Sequence, residues 1–359
     1  MTEQPREESS QRASLASAID TFLDELIRLR PDENFLIYVD RRSDANLTRA
    51  MEARAKDRSA RVTVLQLETG STLDEQSRQL IAAVRSTRVH AICELSAQYF
   101  YHTPAWPAAR DSGARIFSLG ALDEEAFVRC VGNVDHGRMY EFGTRLERIL
   151  RGAVEIRIRT AKGTDIRMRL RKARRGDIIG RLFGRPRPYV LGPCGILTPS
   201  ATSTFLGGQL AFMPDPETIE GRAVIDGYMW PPDDIGGLDA PIVLEIKRGK
   251  ISEIEGSPVK SKVLKNWFEK ERRSIWIEHF CLGFHPCCTF RGKLMEAERT
   301  FGSITTGMGK LAHHTDGVMT NASIYADGIP IQEDGVFVHP DLADGSDRMR
   351  PLEKEPGVS

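Results

Sequence analysis

Val154-Glu155-Ile156-Arg157-Ile158-Arg159-Thr160, a turn at Lys162-Gly163-Thr164, and Asp165-Ile166-Arg167-Met168-Arg169-Leu170-Arg171 mark where this 359-residue chain changes texture. Apolar and charged residues alternate on both sides of the turn, so each run buries one face and wets the other. That is the pattern of an antiparallel hairpin. On its N-terminal side the sequence reads differently. Phe35–Val39, Arg61–Leu67, Val89–Leu95 and Ala114–Leu119 are short β-rich runs, with helical patterns between them at Ala45–Ala55 and Leu73–Arg85. Strands alternating with helices predict βαβ units and a mostly parallel sheet. The stretch has no G-x-G-x-x-G, which removes the case for a dinucleotide site. A helix predicted over Asp135–Arg151 leads into the hairpin.

On the C-terminal side, β-rich segments recur at Ala223–Met229, Pro241–Lys247, Ile251–Ile254, Ile275–Leu282, Gly302–Thr306 and Gly317–Phe337, and only Lys260–Arg272 has helical character. The expected fold class is an α/β N-terminal domain with a mostly parallel sheet, plus a predominantly β (α+β) C-terminal domain. The boundaries read as an arm over 1–14, the α/β domain over 15–150, the β-rich domain over 151–340 and a flexible tail over 341–359. There is no internal repeat.

Lys+Arg and Asp+Glu balance at 50 each, so overall charge suggests neither a nucleic-acid nor a membrane partner. No apolar run approaches the ~20 residues that span a bilayer. Met1–Ser14 lacks the apolar core of a secretory signal, and six cysteines at 93, 130, 194, 281, 287 and 288 form no disulfide framework. The reading is a reduced, soluble, cytoplasmic protein. Residues 145–187 carry fifteen Lys/Arg against four acids, yet the arginines recur at period two and aromatic residues for base stacking are nearly absent. A solvated sheet face or a subunit contact explains that cluster better than nucleic acid does.

Five of the eight histidines fall between His279 and His339. His314-Thr315-Asp316 is an H-x-D step, and on an extended strand positions two apart share a face. One imidazole from a neighbouring strand would complete two histidines and a carboxylate. That is the ligand set of non-haem Fe(II) oxygenases, which leaves positions open for substrate and oxygen. His279, in the alternating segment ending at Gly283, supplies it, so the expected metal ligands are His279, His314 and Asp316. By the same parity Glu278 should face away, Ile277 and Cys281 should share the side of His279, and His313 should oppose His314. His285 and His313 are expected just outside the ligands or against substrate.

Other readings of these residues stay open. Histidines are commonly structural. A zinc site from Cys281, Cys287, Cys288, His279 and His285 is conceivable, but it lacks the paired cysteine spacing that tetrahedral sites favour. Glu298 is a candidate acid/base or second-metal residue, or part of a charged helix face. There is no G-x-S-x-G elbow for a serine nucleophile.

Four blocks carry a resemblance: Gly207–Pro214 with Glu220-Gly221; Ile242–Gly249 with Ile251; Ile277–Pro286; and His314-Thr-Asp316 with Ile324-Tyr325 and Asp327-Gly328. From Gly207 to Val338 the chain resembles the aminopeptidase T-like metallopeptidases and their relative, 2,5-dihydroxypyridine 5,6-dioxygenase. The departures favour the dioxygenase side. Gly208-Gln209 stands where the peptidases' first metal glutamate belongs and His279 where the second belongs. Only Ser303, Thr305 and Thr306 occupy the block that carries a further metal histidine.

The resemblance implies a mononuclear Fe(II) dioxygenase that opens a hydroxylated N-heteroaromatic ring such as a dihydroxypyridine. Its cofactor would be Fe(2+), its partners a small aromatic substrate and O2, and its assembly a homo-oligomer. His285, His313 or Glu298 would move protons, and Ser303 and Thr305 would orient the ring. The alternatives are a metal-dependent aminopeptidase or amidohydrolase, with Glu298 as base to a metal-bound water of pKa about 7, and a non-catalytic binding protein on the same scaffold.

Overall fold

A computed structural model describes residues 13–58, 61–67, 73–97, 100–101, 103–170, 189–233, 235–269, 275–290, 293–309 and 314–342. His313, most of the expected arm and tail, and the basic residues from Arg171 to Arg187 lie outside them.

The first strands are β1 (Asn34–Val39), β2 (Arg61–Gln66), β3 (Ala91–Glu94) and β4 (Arg115–Ser118). The hairpin follows as β5 (Glu155–Arg159) and β6 (Asp165–Arg169), then β7 (Tyr189–Val190), β8 (Ser203–Phe205), β9 (Gln209–Met213), β10 (Glu220–Ile225), β11 (Tyr228–Trp230) and β12 (Gly236–Gly237). The remainder are β13 (Ile242–Lys247), β14 (Lys250–Gly256), β15 (Ile277–Gly283), β16 (Ile304–Met308), β17 (Thr315–Met319), β18 (Ser323–Ala326), β19 (Ile329–Glu333) and β20 (Val336–Phe337).

The first sheet has the order β2-β1-β3-β4-β8, and every pair in it is parallel. Its strands are covered on both faces, as parallel strands joined by crossover helices must be. Leu47, Met51 and Phe127 pack on one side, Leu80, Val84 and Trp106 on the other. The fifth strand, β8, comes from beyond the hairpin. Three residues carry no readable period, so the sequence pattern did not reveal it.

The hairpin forms as its alternation requires. Ile156 faces Met168 and Ile158 faces Ile166, all four buried, while Arg157 pairs with Asp165 at 2.6 Å on the wetter face. It sits in an eight-stranded sheet of order β14-β13-β10-β6-β5-β18-β19-β20, which stacks on a seven-stranded sheet of order β12-β11-β17-β16-β15-β9-β7. All described pairs in these two sheets are antiparallel. Their shared core joins Ile156, Ile166 and Leu244 to Phe212, Phe280, Leu282 and Ile304. Each such side chain contributes roughly 1.5–3 kcal/mol by leaving water.

The helix His136–Gly152 is capped by Asp135, whose carboxylate accepts the Arg138 N–H at 2.9 Å. It buries Met139, Phe142, Leu146 and Leu150 at helical spacing, and Phe142 packs against Phe284 and Phe337. The chain is thus a covered parallel sheet joined to an antiparallel β-sandwich, as the sequence pattern predicts. Among the described residues no helix is long and apolar enough to cross a membrane.

Candidate metal centre

The inner face of the seven-stranded sheet is apolar; its other face carries the chemistry. In register across three adjacent strands, His279 on β15 lies opposite Gly307 on β16, and Gly307 lies opposite Asp316 on β17. The glycine is what lets the outer two meet. A Cβ at position 307 would stand 2.5 Å from His279 Nδ1 and 2.6 Å from Nε2, so only a residue without a side chain leaves room for the ring. His279 leans over that gap and brings Nε2 to 3.4 Å from an Asp316 oxygen.

His314, just ahead of β17, approaches the same carboxylate, with Nε2 at 3.2 Å. Its ring stacks on that of His279 with centroids 5.3 Å apart. Both imidazoles therefore turn their Nε2 edges to one carboxylate, on a face whose middle position is bare.

The neighbourhood of Glu278 departs from the simple alternation. Ile277 pairs with Met308 and His279 with Gly307, so Glu278 is an extra residue in β15, a β-bulge. The bulge resets the parity. Ile277 turns into the sandwich core, and it does not share the side of His279. Glu278, expected to face away, instead brings Oε2 to 3.3 Å from His314 Nδ1. The ligating atoms of Glu278, His279 and His314 all lie within 4.8 Å of one another.

Electrostatics follow from this crowding. Burial resists ionisation of Asp316, but the charges and hydrogen bonds of His314 and His279 hold its carboxyl well below the usual range. Burial likewise disfavours a charged His314, yet the carboxylates of Asp316 and Glu278 outweigh it and push the imidazole well above its ordinary value.

Glu298, which caps the short helix Leu294–Ala297, is a third acid in the same field. Burial, with the Asp316 charge adding to it, raises Glu298 to about 7 against the pull of Arg299, Gln209 and His279. The Gln209 amide, on β9, donates a hydrogen bond to Glu298 Oε2, and the Arg299 guanidinium lies 3.7 Å from the same oxygen.

Thr305 is on the strand face of His279 and Asp316, one row along, between Cys281 and Val318. Its buried hydroxyl has no hydrogen-bond partner among the described residues. The Ser303 hydroxyl, by contrast, donates to the Thr300 carbonyl at 2.7 Å and is occupied locally.

His285 is committed to other partners. Its Nδ1 accepts the Cys287 N–H at 3.1 Å, so Nε2 carries the proton and donates to the Cys130 carbonyl at 3.0 Å. Burial, reinforced by nearby His136, lowers its pKa to about 3. The expected role beside the metal is therefore corrected: neither ring nitrogen is free for a ligand or a proton relay.

The rival zinc set also separates. Cys288 Sγ lies 3.7 Å from Cys130 Sγ near His285, whereas Cys281 and His279 belong to the strand face. Sequence reasoning missed Gly307, Gln209 and Glu278. Only Gln209 left a signal, as the residue standing in for a peptidase glutamate.

With the geometry in hand, the likeness to known proteins is specific. The fold matches 2,5-dihydroxypyridine dioxygenase from Pseudomonas putida KT2440 with a TM-score of 0.67 and 19% identity, over 92% of this chain and 99% of that one. It also matches wild-type AmpT from Thermus thermophilus with a TM-score of 0.62 and 12% identity, over 90% of this chain and 99% of that one. No curated protein sequence matches the chain. The family model for NicX, 2,5-dihydroxypyridine 5,6-dioxygenase, matches residues 17–339, and the chain belongs to that family. It is a dioxygenase by family, with O2 and a small molecule as reactants.

Proposed function

We propose that the chain is a mononuclear non-haem Fe(II) dioxygenase that opens the ring of a hydroxylated N-heteroaromatic, with a dihydroxypyridine as the substrate class. One observation carries the reading: the Nε2 edges of His279 and His314 converge on Asp316 across a position that only glycine can occupy. Two imidazoles and one carboxylate are a donor set suited to Fe(II), and the space over Gly307 accommodates the His279 ring in that arrangement. Iron held by His279, His314 and Asp316 would supply open coordination positions for dioxygen and an anionic substrate oxygen.

The protein's own groups do the rest. Glu298, raised to about 7, is suited to take the proton of a substrate hydroxyl near neutral pH and to return it later. Gln209 fixes that carboxyl by donating to one of its oxygens. Thr305 offers an uncommitted hydroxyl on the same strand face for a ring substituent. Thr305 is fully buried and the Glu298 side chain is only 15% exposed, which limits the access of water to these contacts.

Glu298 also favours a second reading, a metallo-hydrolase in which the same acid serves as base to a metal-bound water. Oxygen-electrode measurements on anaerobically iron-loaded protein separate the two. We expect one O2 consumed per 2,5-dihydroxypyridine, with loss of the ring absorbance. Amino-acid release from peptides by zinc- or cobalt-loaded protein, with no oxygen uptake by the iron form, would leave the hydrolase as the answer.

A further inference from the structure

The bulge in β15 has a directional result. Inserting Glu278 as an unpaired residue carries its side chain to the His314 side of the sheet, where Oε2 stands 3.3 Å from Nδ1. A second acceptor, the Gly309 carbonyl, faces the same nitrogen at 3.3 Å. The opposite nitrogen, Nε2, is the one turned to Asp316 at 3.2 Å. Acceptors thus face Nδ1, and Asp316 faces Nε2; when a cation takes the place of the proton on Nε2, the hydrogen that the ring keeps is the one on Nδ1, between these two acceptors.

We infer that Glu278 is a positioning residue for the metal centre: with the Gly309 carbonyl it holds the proton on His314 Nδ1, fixes the ring plane, and so presents the Nε2 lone pair toward the ion. The inference rests on the metal reading given above and adds to it a carboxylate–imidazole–metal relay that reaches from β15 across β16 to the start of β17. The physical reason is general. A neutral imidazole has two tautomers, and only the one with a free Nε2 serves here. A carboxylate on the other nitrogen selects that tautomer and raises the donor strength of the ring. The bulge makes this possible, because in a regular strand the alternation that sends His279 to the site would send Glu278 to the opposite face.

The side chain of Glu278 is 40% exposed. Its replacement therefore removes the contact without opening a core cavity, and circular dichroism should be unchanged. The test is anaerobic equilibrium dialysis of the full metal-stripped chain against Fe(II), comparing wild type with Glu278→Ala, Glu278→Gln and His314→Ala. Losing such an outer partner weakens metal affinity by about 10–100-fold.

We expect Glu278→Ala to lie in that range and Glu278→Gln, which keeps an acceptor of the same shape, to lose less. His314→Ala should bind no iron at this site. If Glu278→Ala binds iron as wild type does while His314→Ala does not, the positioning role is wrong and the metal reading survives. If Glu278→Ala loses iron as completely as His314→Ala, Glu278 is itself a ligand and the relay is overturned. If His314→Ala binds as tightly as wild type, the metal reading falls and takes the relay with it.

Discussion

Two histidine-centred clusters in this molecule look alike as residue lists and differ in what their atoms are doing. One holds Glu278, His279 and His314 beside Asp316; the other holds Cys130, His285 and Cys288, fully inside the protein. In the first, imidazole nitrogens face a carboxylate, with a bare glycine beneath one ring. In the second, the main chain closes both nitrogens of His285, and the Arg129 guanidinium stands 3.4 Å from Cys130 Sγ, a poor neighbour for a metal cation. Chemistry is thus decided by which lone pairs remain, not by which residue types are present. A buried histidine that bonds the backbone twice is part of the scaffold.

Three substitutions sharpen or break that contrast. The largest effect is expected from His314→Ala, which should take iron content from about one per chain to none and abolish turnover while the fold persists. Full iron content and activity in that variant would show the first cluster to be scaffold as well.

Next comes Gly307→Ala, whose new Cβ collides with the His279 ring and displaces it from Asp316. We expect at least a ~100-fold loss of Fe(II) affinity and a destabilisation of ~1–3 kcal/mol from overpacking, read by metal titration and urea unfolding. Unchanged affinity would mean that the observed ring position is not the functional one.

The smallest effect on iron should come from His285→Asn, which is predicted to leave iron content intact and to act on stability alone. His285 is depressed from its ordinary 6.5 to about 3 by burial, so the unfolded chain takes up a proton that the folded chain refuses in this window. Its contribution to stability is therefore present above 6.5 and is lost as pH falls from 6.5 toward 3. The slope approaches about 1.4 kcal/mol per pH unit. Unfolding curves of wild type and variant across that range should differ by this slope, and iron loss in the variant would undo the contrast.

Much of the plan could be read from residues alone, because the relevant signals are local. The alternation of Ile156, Ile158, Ile166 and Met168 announces the sandwich, and the β-rich runs from Phe35 to Leu119 announce the parallel sheet. The H-x-D spacing brings His314 and Asp316 together because strand parity holds over two residues. What escaped depends on partners. Whether Glu278 faces the site is set by the register of β15 against β16, which no property of β15 discloses. The meaning of Gly307 appears only when His279 is laid across it. His285 read as a site residue because backbone hydrogen bonds leave no trace in side-chain chemistry.

The strand β8 pairs with β4 in parallel, Ile116 beside Ser203 and Ser118 beside Phe205, and so shields what would otherwise be an open margin of the first sheet. Whoever splices this protein with a homologue inherits a constraint from that arrangement. A crossover inside the helix His136–Gly152 would take β4 from one parent and its cover from the other, exposing a hydrogen-bonding rim wherever the two disagree. Viable junctions must move both stretches together, because a splice placed where the texture of the sequence changes divides the first sheet.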